Sequence, residues 1–189
     1  FKMEKFLSSP WDESELTSKP MVVLVGQYST GKTTFIQHLI GETFDGAITG
    51  EVPTTDRFIA VMHGLQKSVI KGEIAVHAES LPFRQLSNEP EEFFKRFQVS
   101  TVNNKVLQHL TFVDTPGVLA TNDENSRGYN YINVMKWFIE RAQLVVVFFD
   151  PQKLDFSTEF KQVLAICNEN KSKLMFALNK VSVLFIIIL

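Results

Sequence analysis

The chain has 189 residues, 44% of them hydrophobic and 21% charged, which is enough for one globular domain with a sizeable core. Its formal net charge is -2 and its pI is about 6.1, so we expect no nucleic acid among its partners. Its single cysteine, Cys167, excludes a disulfide within the chain.

The first third of the sequence predicts a strand, a glycine-rich loop and a helix. Residues 1–20 contain two prolines and an acidic cluster, and we predict a lead-in segment with little regular structure. The apolar run 21–25 predicts a buried strand, and residues 34–40, closed by Gly41, predict an amphipathic helix. Between them lies Gly26-Gln27-Tyr28-Ser29-Thr30-Gly31-Lys32-Thr33, a complete G-x-x-x-x-G-K-[ST] motif.

This order of strand, loop and helix is the context in which the motif binds phosphate. Glycines let backbone N–H groups curl around phosphate oxygens, and the helix N-terminus adds a positive dipole end. We therefore predict that Lys32 contacts the β- and γ-phosphates and that the Thr33 hydroxyl ligates Mg²⁺. A chance glycine-rich turn is the alternative. The predicted nucleotide-binding residues of this segment are Gly26, Gln27, Ser29, Thr30, Gly31, Lys32, Thr33 and Thr34.

The middle of the chain predicts an exposed loop and then further strands. Residues 42–56 are rich in glycine, proline and threonine, a composition typical of a loop. We predict that Thr55, or else Thr54, closes over Mg²⁺ and orients the attacking water; two solvent-exposed hydroxyls are the alternative. Beyond it we predict strands at 57–63 and 73–77, a loop at 82–88 and a helix at 91–99.

The second half predicts two more polar strand ends. A strand at 107–113 leads into Asp114-Thr115-Pro116-Gly117, a D-x-x-G turn that would hold Mg²⁺ through Asp114 and bond the γ-phosphate through Gly117; an ordinary turn is the alternative. A helix at 129–141, a strand at 144–149, a helix at 157–168 and a strand at 174–178 follow. Asn179-Lys180 then begins an N-K-x-D base-recognition motif that has Ser182 in place of its aspartate, so on these residues alone a polar strand end is favoured.

Strands that alternate with helices at this spacing predict an α/β P-loop fold, with a mainly parallel sheet and helices on both faces. In such folds ligands bind outside the carboxyl ends of the strands. The glycine-rich loop, the D-x-x-G turn and the Asn-Lys pair all follow predicted strands directly. The sequence therefore predicts one nucleotide site at this edge of the sheet.

Several segments together resemble the EH-domain-containing ATPases of the dynamin superfamily. The segments are the glycine-rich loop through Ile36, residues 53–64, 82–84, 114–119, 126–129, 137–141 and 153–155. The resemblance implies a dynamin-type nucleotide-binding domain over residues 21–180 that prefers ATP to GTP and hydrolyses it slowly with Mg²⁺. It also implies that intact relatives self-associate, bind acidic membranes and work in endocytic recycling, as cytoplasmic proteins peripheral to endosomal or plasma membranes.

The resemblance also bears on the catalytic groups. Val118 stands where Ras-type switch proteins carry a water-orienting glutamine, so the expected mechanism uses a threonine and the backbone, with slow turnover. Arg57 and Arg127 are candidates for an arginine finger by position only, and solvated loop arginines are the favoured interpretation. By this resemblance, Thr55 looks like the switch threonine, and Asp114 with Gly117 looks like the second switch.

The chain departs from the family pattern after Lys180. The family reads Asn-Lys-Ala-Asp, whereas residues 179–182 read Asn-Lys-Val-Ser, and residues 181–189 form a divergent apolar tail. We therefore expect a C-terminally incomplete domain, without the helical lipid-binding region and the EH domain, that is poorly soluble or oligomeric when made alone. The alternatives to a slow ATPase are a non-hydrolysing truncated fragment that acts as a binding or interfering module, and an ordinary GTPase, which Ser182 disfavours.

Overall fold

The structure, a computed structural model, describes residues 13–47, 56–118, 127–153 and 155–181. Its strands are β1 (Met21–Gly26), β2 (Phe58–His63), β3 (Ser68–Lys71), β4 (Phe97–Val102), β5 (Thr111–Asp114), β6 (Leu144–Phe149) and β7 (Leu174–Leu178). Its α-helices are α1 (Glu13–Thr17), α2 (Lys32–Ile40), α3 (Gly72–Ala75), α4 (Glu91–Phe94), α5 (Tyr131–Arg141) and α6 (Thr158–Glu169). Short 3-10 helices cover Arg84–Asn88, Val106–Gln108 and Lys171–Lys173.

Seven strands form one sheet in the order β3-β4-β2-β5-β1-β6-β7. Strands β5, β1, β6 and β7 run parallel to one another, and β2 pairs antiparallel with β5. Strand β4 is parallel to β2, and β3 is antiparallel to β4, so four of the six pairings are parallel. The prediction of a mainly parallel α/β sheet is confirmed.

Helices cover both faces of this sheet, as predicted. Successive residues of β1 point to opposite faces, so Val23 and Val25 join one buried cluster and Leu24 joins the other. The first cluster packs α3, α4, α5 and α6, and the second packs α2 and Val106–Gln108. A strand buried on both faces is apolar throughout, which explains the unbroken run of β1. No helix within the described ranges is long and apolar enough to cross a membrane.

The strand predicted at 73–77 is wrong, because the first three of these residues belong to the short helix α3. The neighbouring residues Ala75 and Val76 are both fully buried, whereas a strand would send their side chains to opposite faces. The chain turns at Gly72, where a Cβ would lie 2.3 Å from the Phe94 carbonyl oxygen. The strand of this region is β3, which ends at Lys71 directly before α3 and pairs with β4 along the edge of the sheet.

The helix predicted at 91–99 is wrong beyond Phe94. Phe93 and Phe97 have helical spacing, and their rings do stack, with centroids 5.5 Å apart. The chain nevertheless leaves the helix after Phe94, and Phe97 begins β4, which pairs with β2 on one side and β3 on the other. The helical spacing of the phenylalanines therefore led to a helix prediction where the chain forms the start of β4.

Other differences are smaller. The lead-in segment holds the helix α1, although we predicted little regular structure there, and the predicted loop at 82–88 contains a 3-10 turn. Strand β5 begins at Thr111 rather than 107, after a second 3-10 turn. The strands β1, β2, β6 and β7 and the helices α2, α5 and α6 confirm their predictions within two residues. The apolar tail beyond Val181 lies outside the described residues.

Candidate nucleotide site

The three polar segments singled out in the sequence meet at the carboxyl edge of the central strands. Residues 26–33, here called the phosphate loop, connect β1 to α2. Residues 114–117, the Asp-Thr-Pro-Gly turn, follow from β5, which pairs with β1. Asn179 and Lys180 come directly after β7, two strands away on the other side of β1. The predicted convergence of these segments is present in the fold.

The backbone of the phosphate loop is left-handed at two positions, one of which requires glycine. Gly31 has a φ of 94°, in the left-handed region, and a Cβ there would lie 2.2 Å from the Asn179 amide nitrogen Nδ2. Ser29 is also left-handed, with a φ of 56°. The Thr30 hydroxyl donates to the Gln27 carbonyl at 3.0 Å, which closes the loop on itself. Thr34, by contrast, is exposed on α2.

Lys32 lies buried beneath the phosphate loop. Its Nζ donates to the carbonyl oxygens of Gly26 at 3.2 Å and Gln27 at 3.1 Å. Burial lowers the pKa of Lys32 to about 8, while the nearby Asp114 carboxylate raises it and Lys153 lowers it further. A cation enclosed in this way gains from an anionic ligand, because its hydrogen-bond acceptors among the described residues are neutral carbonyls.

Asp114 is the acidic partner in the same enclosed space, with no solvent exposure. Its Oδ2 accepts a hydrogen bond from the Thr33 hydroxyl at 2.5 Å. Its Oδ1 is buried and has no hydrogen-bond partner within the described ranges. Burial raises the pKa of Asp114 to about 6, against the opposing effects of Lys32 and the Thr33 hydrogen bond. A hydroxyl and a carboxylate with an unsatisfied oxygen form a donor set that suits Mg²⁺, which prefers oxygen ligands.

The Asp-Thr-Pro-Gly turn packs directly on the phosphate loop. A Cβ on Gly117 would lie 2.6 Å from Tyr28 Cα, so only glycine allows this approach. The Val118 N–H donates to the Gly26 carbonyl at 3.3 Å, and the Thr115 hydroxyl donates to the Leu24 carbonyl at 2.6 Å. The turn is therefore fixed against both the loop and the strand that feeds it.

The Asn-Lys pair supports the loop from the side of β7. The Asn179 Nδ2 donates to the Thr30 carbonyl at 2.9 Å, so this side chain steadies the phosphate loop. Lys180 has a φ of 58°, and its Nζ lies 3.0 Å from Asp150 Oδ2. Asn179 thus contacts the loop directly, whereas Lys180 is held in an ion pair with Asp150 that the sequence motif does not indicate.

Sequence reasoning gave no role at the site to Lys153 or Asp150. The Lys153 Nζ donates to the Tyr28 carbonyl and lies 5.4 Å from the centroid of the Tyr28 ring. Asp150 is buried, follows β6 directly and pairs with Lys180. The other three segments were assigned to the site because they follow predicted strands directly. The same criterion would also have identified Asp150, which follows β6. The Lys153 contact depends on the path of the following loop, for which the sequence carries no signal.

The two arginine candidates have different surroundings. Arg57 is partly exposed and pairs with Asp56 at 3.2 Å. Arg127 is buried, and its Nη2 lies 3.1 Å from both the Gly117 carbonyl and Glu159 Oε2. The interpretation of Arg127 as a solvated loop arginine is therefore wrong. Thr54 and Thr55 lie outside the described residues.

Fold and site together define a nucleotide-binding domain of the P-loop class. The family model described as the dynamin family matches residues 22–181, so the chain belongs to the dynamin family. This match covers most of the chain and includes the phosphate loop, the Asp-Thr-Pro-Gly turn and Asn179-Lys180.

The resemblance to EH-domain-containing proteins is confirmed by sequence identity. The chain is 42% identical to EH domain-containing protein 1 of Homo sapiens over 95% of its own length and 34% of the relative. The corresponding protein of Arabidopsis thaliana is 41% identical, over 95% of this chain and 33% of that one. The chain thus spans about a third of the length of these curated relatives. A solved structure of an oligomerised bacterial dynamin pair has a TM-score of 0.49 and 14% identity, covering 87% of this chain and 26% of that chain.

Proposed function

We propose that this chain is a Mg²⁺-dependent nucleotide-binding domain that binds ATP and hydrolyses it slowly. The observation that carries the proposal is the enclosed group of Lys32, Thr33 and Asp114 beneath the phosphate loop. It combines a buried cation, a hydroxyl and a carboxylate oxygen without a hydrogen-bond partner in the described part of the chain. Membership of the dynamin family supports nucleotide binding as the purpose of this arrangement.

Each residue of the site has a proposed role. Lys32 and the N–H groups of the phosphate loop bind the phosphates, because charge-assisted hydrogen bonds to phosphate are the strong ones. Thr33 and Asp114 would hold Mg²⁺, together with Thr55. Once bound, the ion would neutralise charge on the phosphate oxygens.

The expected slow turnover follows from the groups that face the reacting phosphate. Gly117 offers a backbone N–H to the γ-phosphate, and Thr55, or else Thr54, orients the water through its carbonyl. Val118 supplies no polar side chain where other switch proteins have a glutamine. Loss of a single positioning group costs on the order of 10²-fold in rate, so a site without it turns over slowly.

ATP is preferred over GTP in this proposal because of the residues after β7. Guanine selection relies on a carboxylate that accepts from the base, and position 182 is serine. Asn179 is engaged with the phosphate loop and Lys180 with Asp150. None of these groups distinguishes guanine by accepting from its N–H groups.

A parallel titration with ATP and GTP, each with Mg²⁺ and with a chelator, tests this function. We expect calorimetric binding of ATP that weakens without Mg²⁺, a weaker GTP signal, and slow single-turnover hydrolysis. Thr55→Ala should retain nucleotide and lose hydrolysis by about 10²-fold. Equal hydrolysis by Thr55→Ala would move the role to Thr54. Binding of GTP more tightly than ATP would contradict the base assignment.

A second function is a non-hydrolysing binding or interfering module. The observation that favours it is the Lys180–Asp150 ion pair at 3.0 Å, which engages the ammonium group of the lysine in the base-recognition motif. In that case the chain binds nucleotide weakly and single-turnover experiments show no product above the Lys32→Ala control. Turnover that depends on Lys32 would exclude this alternative.

For the complete protein we propose a membrane-remodelling role in endocytic recycling, as a cytoplasmic protein peripheral to endosomal or plasma membranes. The support is the resemblance of the chain to the EH-domain-containing proteins. This resemblance implies that intact relatives self-associate and bind acidic membranes. Co-sedimentation of the complete protein with vesicles of acidic or of neutral lipids tests this role. We expect binding to the acidic vesicles only, and equal recovery from both would contradict it.

A further inference from the structure

The Asp-Thr-Pro-Gly turn is held from one side by two buried side chains. The Tyr131 hydroxyl donates to the Pro116 carbonyl at 3.1 Å, and Arg127 Nη2 donates to the Gly117 carbonyl at 3.1 Å. In a trans peptide the C=O and N–H groups point in opposite directions. The Gly117 N–H therefore faces away from Tyr131, and the Val118 N–H faces away from Arg127.

The opposite side of the second of these peptides is also fixed. The Val118 N–H donates to the Gly26 carbonyl at 3.3 Å, at the start of the phosphate loop. The peptide between Gly117 and Val118 is thus clamped between Arg127 and β1. A rotation of this peptide would break both hydrogen bonds at once, so Arg127 and the Gly26 carbonyl together fix its orientation.

Arg127 is itself held by its surroundings. Its side chain is 7% exposed, its guanidinium lies 3.8 Å from the centroid of the Tyr131 ring, and its Nη2 is 3.1 Å from Glu159 Oε2. Glu159 belongs to the first turn of α6. A planar guanidinium offers several donors in a fixed geometry, so it can serve a backbone carbonyl and a carboxylate together, which a lysine cannot do equally well.

We propose that Arg127 is a positioning residue that sets the Asp-Thr-Pro-Gly turn for γ-phosphate recognition and connects that turn to α6 through Glu159. This inference rests on the proposed function, since it concerns the same nucleotide. Arg127 acts through the peptide between Gly117 and Val118 rather than by touching the phosphate. It differs in this from an arginine finger, which would itself contact the nucleotide.

The readout that separates positioning from general stability is the ratio of two affinities. A positioning role concerns only the γ-phosphate, so it changes the affinity for a non-hydrolysable ATP analogue and leaves that for ADP unchanged. A merely structural role lowers both affinities together. We therefore measure binding of both nucleotides, with Mg²⁺, to the 189-residue chain and its variants by calorimetry.

Three substitutions and one control define the experiment. Arg127→Gln removes the clamp, and we expect the preference for the ATP analogue over ADP to fall about fivefold, the scale of one lost hydrogen bond. Arg127→Lys keeps the charge beside Glu159, should fold if Arg127→Gln does not, and should also lose preference. Glu159→Gln keeps the Gly117 contact, and we expect a smaller decrease. Arg84→Gln removes an exposed arginine and should change nothing.

The possible results separate this inference from the proposed function. If the parent chain binds neither nucleotide, the proposed function fails and this inference fails with it. If the parent binds both nucleotides but Arg127→Lys keeps the full preference, or loses both affinities equally, only the role of Arg127 is overturned. An unchanged preference in Glu159→Gln would overturn the connection to α6.

Discussion

Lys32 and Asp114 are opposite charges enclosed in one buried space, and each changes the protonation behaviour of the other. Burial lowers the pKa of the lysine to about 8 and raises that of the aspartate to about 6. Their mutual attraction opposes both shifts but does not cancel them. Replacement of either charge therefore affects the site and the stability of the domain together.

Lys32→Ala should abolish nucleotide binding and leave the secondary structure intact. Hydrogen bonds to charged groups contribute about 1.5–3 kcal/mol, so we expect at least a 10- to 100-fold loss in ATP affinity by calorimetry, with an unchanged circular dichroism spectrum. Lys161→Ala, an exposed lysine of α6, is the control for loss of one positive charge. Unchanged ATP affinity in Lys32→Ala would contradict the assignment.

Asp114 should make the stability of the nucleotide-free domain depend on pH. Its pKa near 6 in the folded chain lies above the ordinary value of 3.8, so the folded state binds this proton more tightly than the unfolded state. The resulting stabilisation is complete below about pH 4 and is lost as the pH rises through about 6. Asp114→Asn has no titratable group at this position, so its stability does not change through this titration.

Urea unfolding of the parent and of Asp114→Asn across this range measures the effect. The free energy of unfolding of the parent, relative to that of Asp114→Asn, should fall by on the order of 2 kcal/mol between about pH 4 and about pH 7. The comparison cancels the titration of other carboxylates. Parallel curves for the two proteins would show that Asp114 titrates normally.

At the scale of elements, the strands that are buried on both faces were the ones predicted best from the sequence. Continuous apolar runs such as β1 and β6 were predicted correctly, because a strand buried on both faces has no polar alternation to obscure it. The short elements between β2 and β5 were not. Phe93 and Phe97 pack on each other across a turn although they lie four residues apart. Their spacing in the sequence is therefore the same as that of two residues on one face of a helix.

The sequence indicated those parts of the candidate site that lie within local motifs. The phosphate loop and the Asp-Thr-Pro-Gly turn each carry their chemistry within a few consecutive residues. The contacts of Arg127 and Lys153 join positions 10 and 125 residues apart in sequence. Such contacts are set by the path of loops through space, and one sequence has no periodicity that reports it.

Asn179 connects the end of β7 to the phosphate loop, and this connection is testable. Asn179→Ala removes the hydrogen bond to the Thr30 carbonyl at 2.9 Å. A typical hydrogen bond contributes about 1 kcal/mol, so we expect ATP affinity to fall by about fivefold in calorimetry.

A matched control exists in the same chain. Asn170 Nδ2 donates to the Ile166 carbonyl at 3.0 Å at the end of α6, away from the loop. Asn170→Ala should cost a similar amount of stability in urea unfolding and leave ATP affinity unchanged. Equal loss of affinity in both variants would mean that Asn179 supports the domain in general and not the loop.

At the scale of the whole molecule, the carboxyl ends and the amino ends of the central strands carry different groups of residues. The carboxyl edge carries the phosphate loop and the Asp-Thr-Pro-Gly turn. At the opposite edge, before β1 begins, Glu15 of α1 meets Arg141 at the end of α5 at 2.8 Å, with both side chains 3% exposed. Gln85 and Trp137 surround the pair, since Trp137 Nε1 donates to Gln85 and the Arg141 guanidinium lies 4.6 Å from the Trp137 ring.

This buried ion pair should fix α1 to the domain without influence on the nucleotide. Glu15→Gln leaves the Arg141 charge buried and uncompensated, which costs about 3–5 kcal/mol in comparable pairs, a large share of an ordinary domain's stability. Glu91→Gln is the control, because Glu91–Lys95 has the same distance of 2.8 Å but is exposed. It should cost less than about 1 kcal/mol.

The double variant Glu15→Leu with Arg141→Met completes the comparison. Apolar replacement of both partners leaves no buried charge, so it should regain most of the stability that Glu15→Gln loses. Urea unfolding measures all four proteins, and ATP titration below their transitions should give equal affinities, since the pair lies at the edge remote from the phosphate loop. A loss of affinity in Glu15→Gln at full folding would show that the two edges are coupled through β1 and α5.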